Sequence, residues 1–189
     1  MVRSVDWQGR PSPHLHCRGS RIRARDRIAG MGRTRVSIQP QDFDLNAEVD
    51  ALRRDDAQVG AVAAFIGTVR DRSEGSPVQA MELEHYPGMT ERAIESMIDD
   101  AERRFDIRAA RVVHRIGRLA PKDRVVLVVV ASAHRRDAFQ ACEFLMDYLK
   151  TQAPFWKKES TPEGERWVDA RQCDDAALAR WGLAVSNAA

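Results

Sequence analysis

The chain has 189 residues, 43% of them hydrophobic and 31% charged, a balance that describes one globular domain with a sizeable core rather than a disordered or fibrous chain. Its longest apolar run, Val125 to Ala131, is far short of the ~20 residues a membrane span requires. Three cysteines (Cys17, Cys142, Cys173) form no CxxC pair, so neither a disulfide scaffold nor a cysteine-built zinc site is expected, and a reducing cytoplasm fits best.

The net charge of +2 conceals an asymmetry. Residues 1–35 carry nine Arg against two Asp, whereas the remainder nets −5. The basic balance therefore belongs to the N-terminal segment and is no nucleic-acid signature. Residues 1–30 show no helical or strand period and offer too little apolar surface to offset their ordering entropy. They are expected to form a disordered extension, or to lie ahead of a natural start at Met31, with the domain spanning 31–189 from Met31-Gly32 onward. His14, His16 and Cys17 lack a fourth partner and are not read as a metal site.

Beyond this point strands and helices alternate. Val36–Ile38 is strand-like. A helix over Asn46–Arg54 follows, with Leu45, Val49 and Leu52 on one face behind the cap-like residues Asp44 and Asn46. Val59 to Arg70 reads as a buried strand in which small residues mark close packing. Asp71 to Pro77 reads as a loop. Val78 to Tyr86 alternates, with Met81, Leu83 and His85 on one face and Glu82 and Glu84 on the other. Pro87-Gly88 turns the chain into a helix with the stripe Ile94, Met97, Ile98, Ala101 and Phe105. Strands are predicted over Arg111–Ile116 and Arg124–Ala131 around a Pro121-Lys122-Asp123 turn. A second long helix runs from about Arg136 to Leu149, with Phe139, Cys142, Leu145, Met146 and Leu149 inward. Phe155–Lys158 and Arg166–Asp169 form a hairpin over Thr161–Gly164, and Asp174–Trp181 a short final helix. The fold class is α+β, with a mixed or antiparallel sheet and two main helices.

Only four of the 30 basic residues are Lys: Lys122, Lys150, Lys157 and Lys158. Three of them cluster within nine positions, and Lys, unlike Arg, can lose its proton when desolvated and act as nucleophile or base. Lys150 ends the second long helix. Lys157 lies on a strand beside Phe155 and Trp156, aromatics able to supply desolvation. Ser132-Ala133-His134-Arg135 marks the start of that helix, where free N–H groups and the dipole favour an anion. Arg70 stands at a strand end. Cys142 is read as an inert core thiol and the Glu82/Glu84 pair as a solvated face. No GxxxxGK[ST], GxSxG, HExxH or GxGxxG motif occurs, so neither a cofactor nor a metal is expected. These residues amount to an anion pocket with one or two activatable lysines, without naming the reaction.

The strings Phe65-Ile66-Gly67-Thr68-Val69-Arg70, Leu83-Glu84-His85-Tyr86-Pro87-Gly88-Met89, His114-Arg115-Ile116-Gly117, Ser132-Ala133-His134-Arg135, Asp147-Tyr148-Leu149-Lys150 and Pro154-Phe155-Trp156-Lys157-Lys158-Glu159 resemble the large, catalytic subunit family of molybdopterin synthase. The match runs in order from about Val36 to Trp181. The resemblance implies an α/β hammerhead-like fold and a sulfurtransferase of molybdenum cofactor biosynthesis. In that family two sulfurs are inserted into cyclic pyranopterin monophosphate from the C-terminal Gly-Gly thiocarboxylate of a small ubiquitin-like subunit. It implies catalytic roles for Lys150 and Lys157, and substrate contacts from Thr68, Val69, Arg70, His134, Arg135, Lys150, Lys157, Lys158, Glu159 and Arg171. It further implies a homodimer within a heterotetramer, with no nucleic-acid or membrane partner. Lys150 would stabilise the oxyanion at the donor's terminal carbonyl or assist proton transfer. An idle adaptor for a ubiquitin-like sulfur carrier and a phosphometabolite-binding regulatory domain are the competing readings, and the intact Lys150/Lys157 pair favours the enzyme.

Overall fold

The computed structural model describes residues 34–73, 75–168 and 179–182. The expectations for residues 1–30, for Arg171 and for most of the final helix over 174–181 lie outside the described residues. No helix among the described residues is long and apolar enough to cross a membrane.

The apolar run that dominates the sequence becomes β8 (Arg124–Ser132), buried on both faces. It pairs antiparallel with β6 (Ile107–Arg115) on one side and with β2 (Ala61–Thr68) on the other, and β1 (Val36–Gln39) joins β6 in parallel. The resulting sheet has the order β1-β6-β8-β2. Side chains of β8 alternate between two cores. Val126, Val128 and Val130 meet Ile94, Met97, Ile98, Phe144 and Leu145 from α2 (Met89–Arg104) and α3 (Arg135–Gln152). Leu127 and Val129 meet Phe43, Leu45, Val49 and Leu52 around α1 (Leu45–Arg53). The Asp44 carboxylate caps α1 as expected, accepting from the backbone N–H groups of Asn46 and Ala47 at 2.8 and 3.2 Å.

A second, antiparallel sheet has the order β10-β9-β5-β7, from β5 (Ala80–His85), β7 (Gly117–Leu119), β9 (Phe155–Thr161) and β10 (Gly164–Trp167). Its small core is Val69, Val78, Met81, Leu83 and Leu119. The α+β class stands, but the strands divide between two four-stranded sheets. Three further differences have clear causes. The expected loop over 71–77 contains a ribbon, β3 (Arg72–Ser73) with β4 (Ser76–Pro77), too short to show a period. β2 is an edge strand, so it is only partly buried, and Phe65 is 40% exposed. Phe139 on α3 points outward at 65% exposure while Phe144 fills the core, because the buried face of α3 runs through Ala138, Ala141, Phe144 and Leu145.

The two sheets meet through aromatic stacking. His114 of β6 is buried and lies flat against Phe155 of β9, with ring centroids 3.9 Å apart, and His85 of β5 stacks on the same ring from 6.4 Å. His114 Nδ1 sits 2.8 Å from the Arg115 carbonyl, so that nitrogen carries the proton and donates it.

Two expectations follow from this packing. A Cβ on Gly60 would stand 2.4 Å from the Ala133 carbonyl oxygen, a backbone atom that cannot swing aside, so Gly60→Ala should lower Tm by roughly 3–10 °C, read by thermal melting. Burial pushes the His114 pKa down from 6.5 to about 4. The neutral ring therefore contributes its full stability above pH ~6.5 and loses it as pH falls toward ~4, a term of at most about 3 kcal/mol. Melting curves at pH 7.5 and 4.5 should separate less for His114→Phe than for the unaltered chain.

Candidate active site

The end of β2 is shaped by a register shift between Gly67 and Thr68, an irregularity of the kind that re-aims side chains at strand ends. The next residue, Val69, is pinned twice by the β7–β8 turn: its N–H donates to the Asp123 carbonyl at 2.9 Å, and its carbonyl accepts from Lys122 N–H at 2.8 Å. Lys122 holds a left-handed backbone with φ 78° to make this bond. Arg70 thus leaves the sheet from a fixed point. It faces β9, and between them lies a cavity of about 50 Å³. Val69, Val78 and Met81 supply its apolar lining, and Thr68, Arg70, Arg72, Ser73, Lys157 and Glu159 the polar part.

β9 alternates as a strand must, which sorts its candidates onto two faces. Lys157 and Glu159 turn to the cavity. The Glu159 carboxylate is almost wholly out of water and takes Lys157 Nζ at 3.1 Å and Arg166 Nη2 at 3.0 Å. Lys158 turns the other way. Its ammonium lies 3.2 Å from Glu82 and 3.1 Å from Glu165 and 5.7 Å from the centre of the Trp167 ring. Those carboxylates hold its pKa above the usual lysine value. Glu82 is therefore engaged on the outer face, and Glu84 is exposed beside it. The aromatics beside Lys157 do not enclose it as the sequence suggested. Trp156 points to the outer face, and the Lys157 ammonium pairs with the Glu159 carboxylate.

The segment joining the two candidate lysines is held at three successive residues. Thr90, at the start of α2, donates its hydroxyl to the Pro154 carbonyl at 3.3 Å. Phe155 lies in the stack with His114 and His85, and Trp156 meets Tyr86 edge-on at 4.5 Å. Lys150 occupies the last turn of α3 and is exposed. One turn earlier, Asp147 accepts from Trp181 Nε1 at 2.8 Å and Arg180 at 2.7 Å, which ties the described C-terminal residues to the helix.

His134 and Arg135 open α3, both exposed, where the Ser132 hydroxyl accepts from His134 N–H at 3.2 Å. They stand at the other end of the molecule's main sheet. Fifteen residues of helix separate Arg135 from Lys150 (about 22 Å at 1.5 Å per residue). Register repeats the point: Ser132 faces Ala61 at one end of β2, and Arg124 faces Thr68 at the other. Within one chain the cavity thus unites Thr68, Val69, Arg70, Lys157 and Glu159. Lys150 lies at the same end of α3 as the segment leading to Lys157, Lys158 lies on the outer face, and His134 with Arg135 lies at the far end.

The sequence reading missed Arg72, Ser73 and Arg166. Arg166 was within reach, because a hairpin closing Thr161 on Gly164 sets Glu159 opposite Arg166. Cys142 is buried, its thiol pushed up to about 11 by desolvation, as suits an inert core residue.

Comparison with known proteins assigns the chain to a family. Residues 38–152, more than half of the chain, match the family described as MoaE protein. The molybdopterin synthase catalytic subunit of Ralstonia nicotianae is 60% identical over 153 residues, covering 81% of this chain and 87% of that protein. A solved structure of the molybdopterin biosynthesis MoaE protein from Burkholderia ambifaria superposes with a TM-score of 0.69 at 60% identity, over 80% of this chain and 99% of that one. A protein–protein complex of subunits 1 and 2 of molybdopterin-converting factor from Helicobacter pylori shares the fold, with a TM-score of 0.59 at 19% identity over 72% of this chain and 91% of that one. The chain belongs to the MoaE family, that of the molybdopterin synthase catalytic subunits.

Proposed function

We propose that this chain supplies the pocket in which sulfur passes from the C-terminal thiocarboxylate of a small ubiquitin-like subunit to cyclic pyranopterin monophosphate, giving the dithiolene of molybdopterin. The observation that carries the reading is the cavity itself, where Arg70, Arg72 and Lys157 outnumber the single carboxylate of Glu159. Donor and acceptor are both anions. Two unit negative charges ~4 Å apart repel by about 4 kcal/mol at an effective dielectric of ~20, so their encounter requires a local excess of cations. The chain's net charge beyond residue 35 is negative, and the cluster provides that excess where it is needed.

Lys150 and Lys157 carry the catalytic roles, Lys150 at the donor's terminal carbonyl and Lys157 at the cavity wall. Thr68, Val69, Arg70 and Glu159 line the cavity that takes an anionic group of the pterin, with the ring system lying across its mouth. A Gly-Gly end, without side chains, is slim enough to enter beside them. His134 and Arg135 join the same site through a second copy of the chain. A homodimer that sets the α3 start of one copy against the cavity of the other closes the gap of about 22 Å. One small subunit per catalytic chain then makes a heterotetramer. Arg171 completes the set that the family resemblance assigns to the substrate, whereas Lys158, held on the outer face by Glu82 and Glu165, has no place in the cavity of its own chain.

The direct test is incubation with the pterin monophosphate and thiocarboxylated small subunit, reading dithiolene product. Lys150→Ala and Lys157→Ala should each lower turnover by a hundredfold or more. Lys150 is exposed, so its loss should leave Tm within about 2 °C, whereas Lys157→Ala strips one cation from the buried Glu159 carboxylate and should also lower Tm by several degrees. If activity and small-subunit affinity instead fall together, the chain is an adaptor.

Subunit complementation tests the dimer. Neither Lys150→Ala nor Arg135→Ala homodimers should work at low pterin concentration, yet a mixed dimer holds one intact site and should recover about half the activity of the unaltered enzyme. No recovery, or a monomer by light scattering, would sink the shared site.

A further inference from the structure

Glu159 is 3% exposed, yet its two carboxylate oxygens are treated differently. One meets the Lys157 ammonium and the other Arg166 Nη2. The same Arg166 nitrogen also donates to the Ser73 carbonyl at 3.3 Å. Arg166 therefore touches both strips of chain that line the cavity: the strand with Lys157 and Glu159, and the ribbon with Arg72 and Ser73. It stands directly across the β9–β10 hairpin from Glu159 and is not itself a lining residue.

We propose that Arg166 is a positioning residue of the sulfur-transfer site, holding Glu159 so that Lys157 presents its ammonium to the cavity and anchoring the ribbon that carries Arg72. The inference rests on the reading of the cavity as the pterin's anion site. A carboxylate this far from water with a single cation beside it draws that cation fully onto itself or takes up a proton. A second cation removes both outcomes. Burial raises the Glu159 pKa, but Arg166 and then Lys157 outweigh it and hold the carboxyl below its usual range. These two groups face Glu159 directly, with Arg70 and Arg72 across the cavity. An ammonium has three donors, and the contact with Glu159 occupies one, leaving the rest for substrate. Arginine suits the post because it stays charged and because its Nη2, one bond farther from the backbone than a lysine ammonium, holds two N–H groups in a rigid plane, one for the carboxylate and one for the carbonyl.

The scarcity of lysine makes the test direct. In full-length protein labelled with side-chain ¹³C-lysine, four Lys signals are expected, and Lys157→Arg identifies that of Lys157. Arg166→Gln should move the Lys157 signal and leave that of Lys122 in place. With thiocarboxylated small subunit, the same variant should raise the pterin KM about tenfold and shift the acid limb of kcat/KM to higher pH, with small-subunit affinity within about threefold of normal. Arg166→Lys, which keeps the charge and the fold, should give an intermediate KM. A variant with a lowered Tm but an unmoved Lys157 signal, pterin KM and pH profile would overturn the proposal, as would an Arg166→Lys enzyme equal to the unaltered one. Should the unaltered enzyme make no dithiolene, the functional reading fails, and the Lys157 signal still decides what Arg166 does.

Discussion

A strand buried on both faces imposes its needs on everything around it. With Val126, Val128 and Val130 on one side of β8 and Leu127 and Val129 on the other, no water reaches either surface, so each face needs a helical layer and each edge a paired strand. α2 and α3 meet the first need on one face and α1 on the other, while β6 and β2 complete the edges. Because α3 follows β8 directly and must cover it, the helix has to run back along the strand it has just left. This return separates the anion-favouring start of α3 from its lysine-bearing end, and the division of the candidate site is thus a product of core packing.

The second sheet works on a different scale. Its core is five buried side chains, and much of its order comes from polar and aromatic contacts: the His114–Phe155–His85 stack, the Thr90 bond to Pro154, and the ionic group around Glu159. Such contacts are directional where apolar burial is not. A pocket that must present cations at fixed points is accordingly built on the polar sheet and merely supported by the apolar one.

The long elements were legible because their periods are long enough to repeat. The strand that becomes β8, the stripe of α2 and a cap at Asp44, one of the two candidates, all appear, and the closing hairpin forms with its second strand beginning two residues early, at Gly164. What escaped was short or two-valued. A two-residue ribbon has no period, and the three residues of β7 are diverted to the other sheet where Gly117 takes a φ of 80°. On α3, Cys142, Leu145 and Leu149 are compatible with either Phe139 or Phe144 as the inward aromatic, and only the position of the sheet decides. At the site, scarcity of lysine drew attention to Lys150 and Lys157, and the strand's period of two sends Lys158 outward. Arg166 could be read only by pairing residues across the hairpin, since one arginine among 26 has nothing in its identity to mark it.

The bond between Arg166 and Ser73 spans 93 positions of sequence, and so do the two walls of the cavity, nearly. Closing a loop of that length from the open chain costs about 4 kcal/mol beyond a constant term, more than the bond itself returns. The closure becomes inexpensive only after β5 and β9 have paired and brought the strips together. The cavity is accordingly expected to close after that pairing in folding, and to be among the regions that open locally without global unfolding. An anion seated among Arg70, Arg72 and Lys157 would bind the closed form alone and so draw on the free energy of that closure, making occupancy of the site and persistence of the hairpin two expressions of one equilibrium.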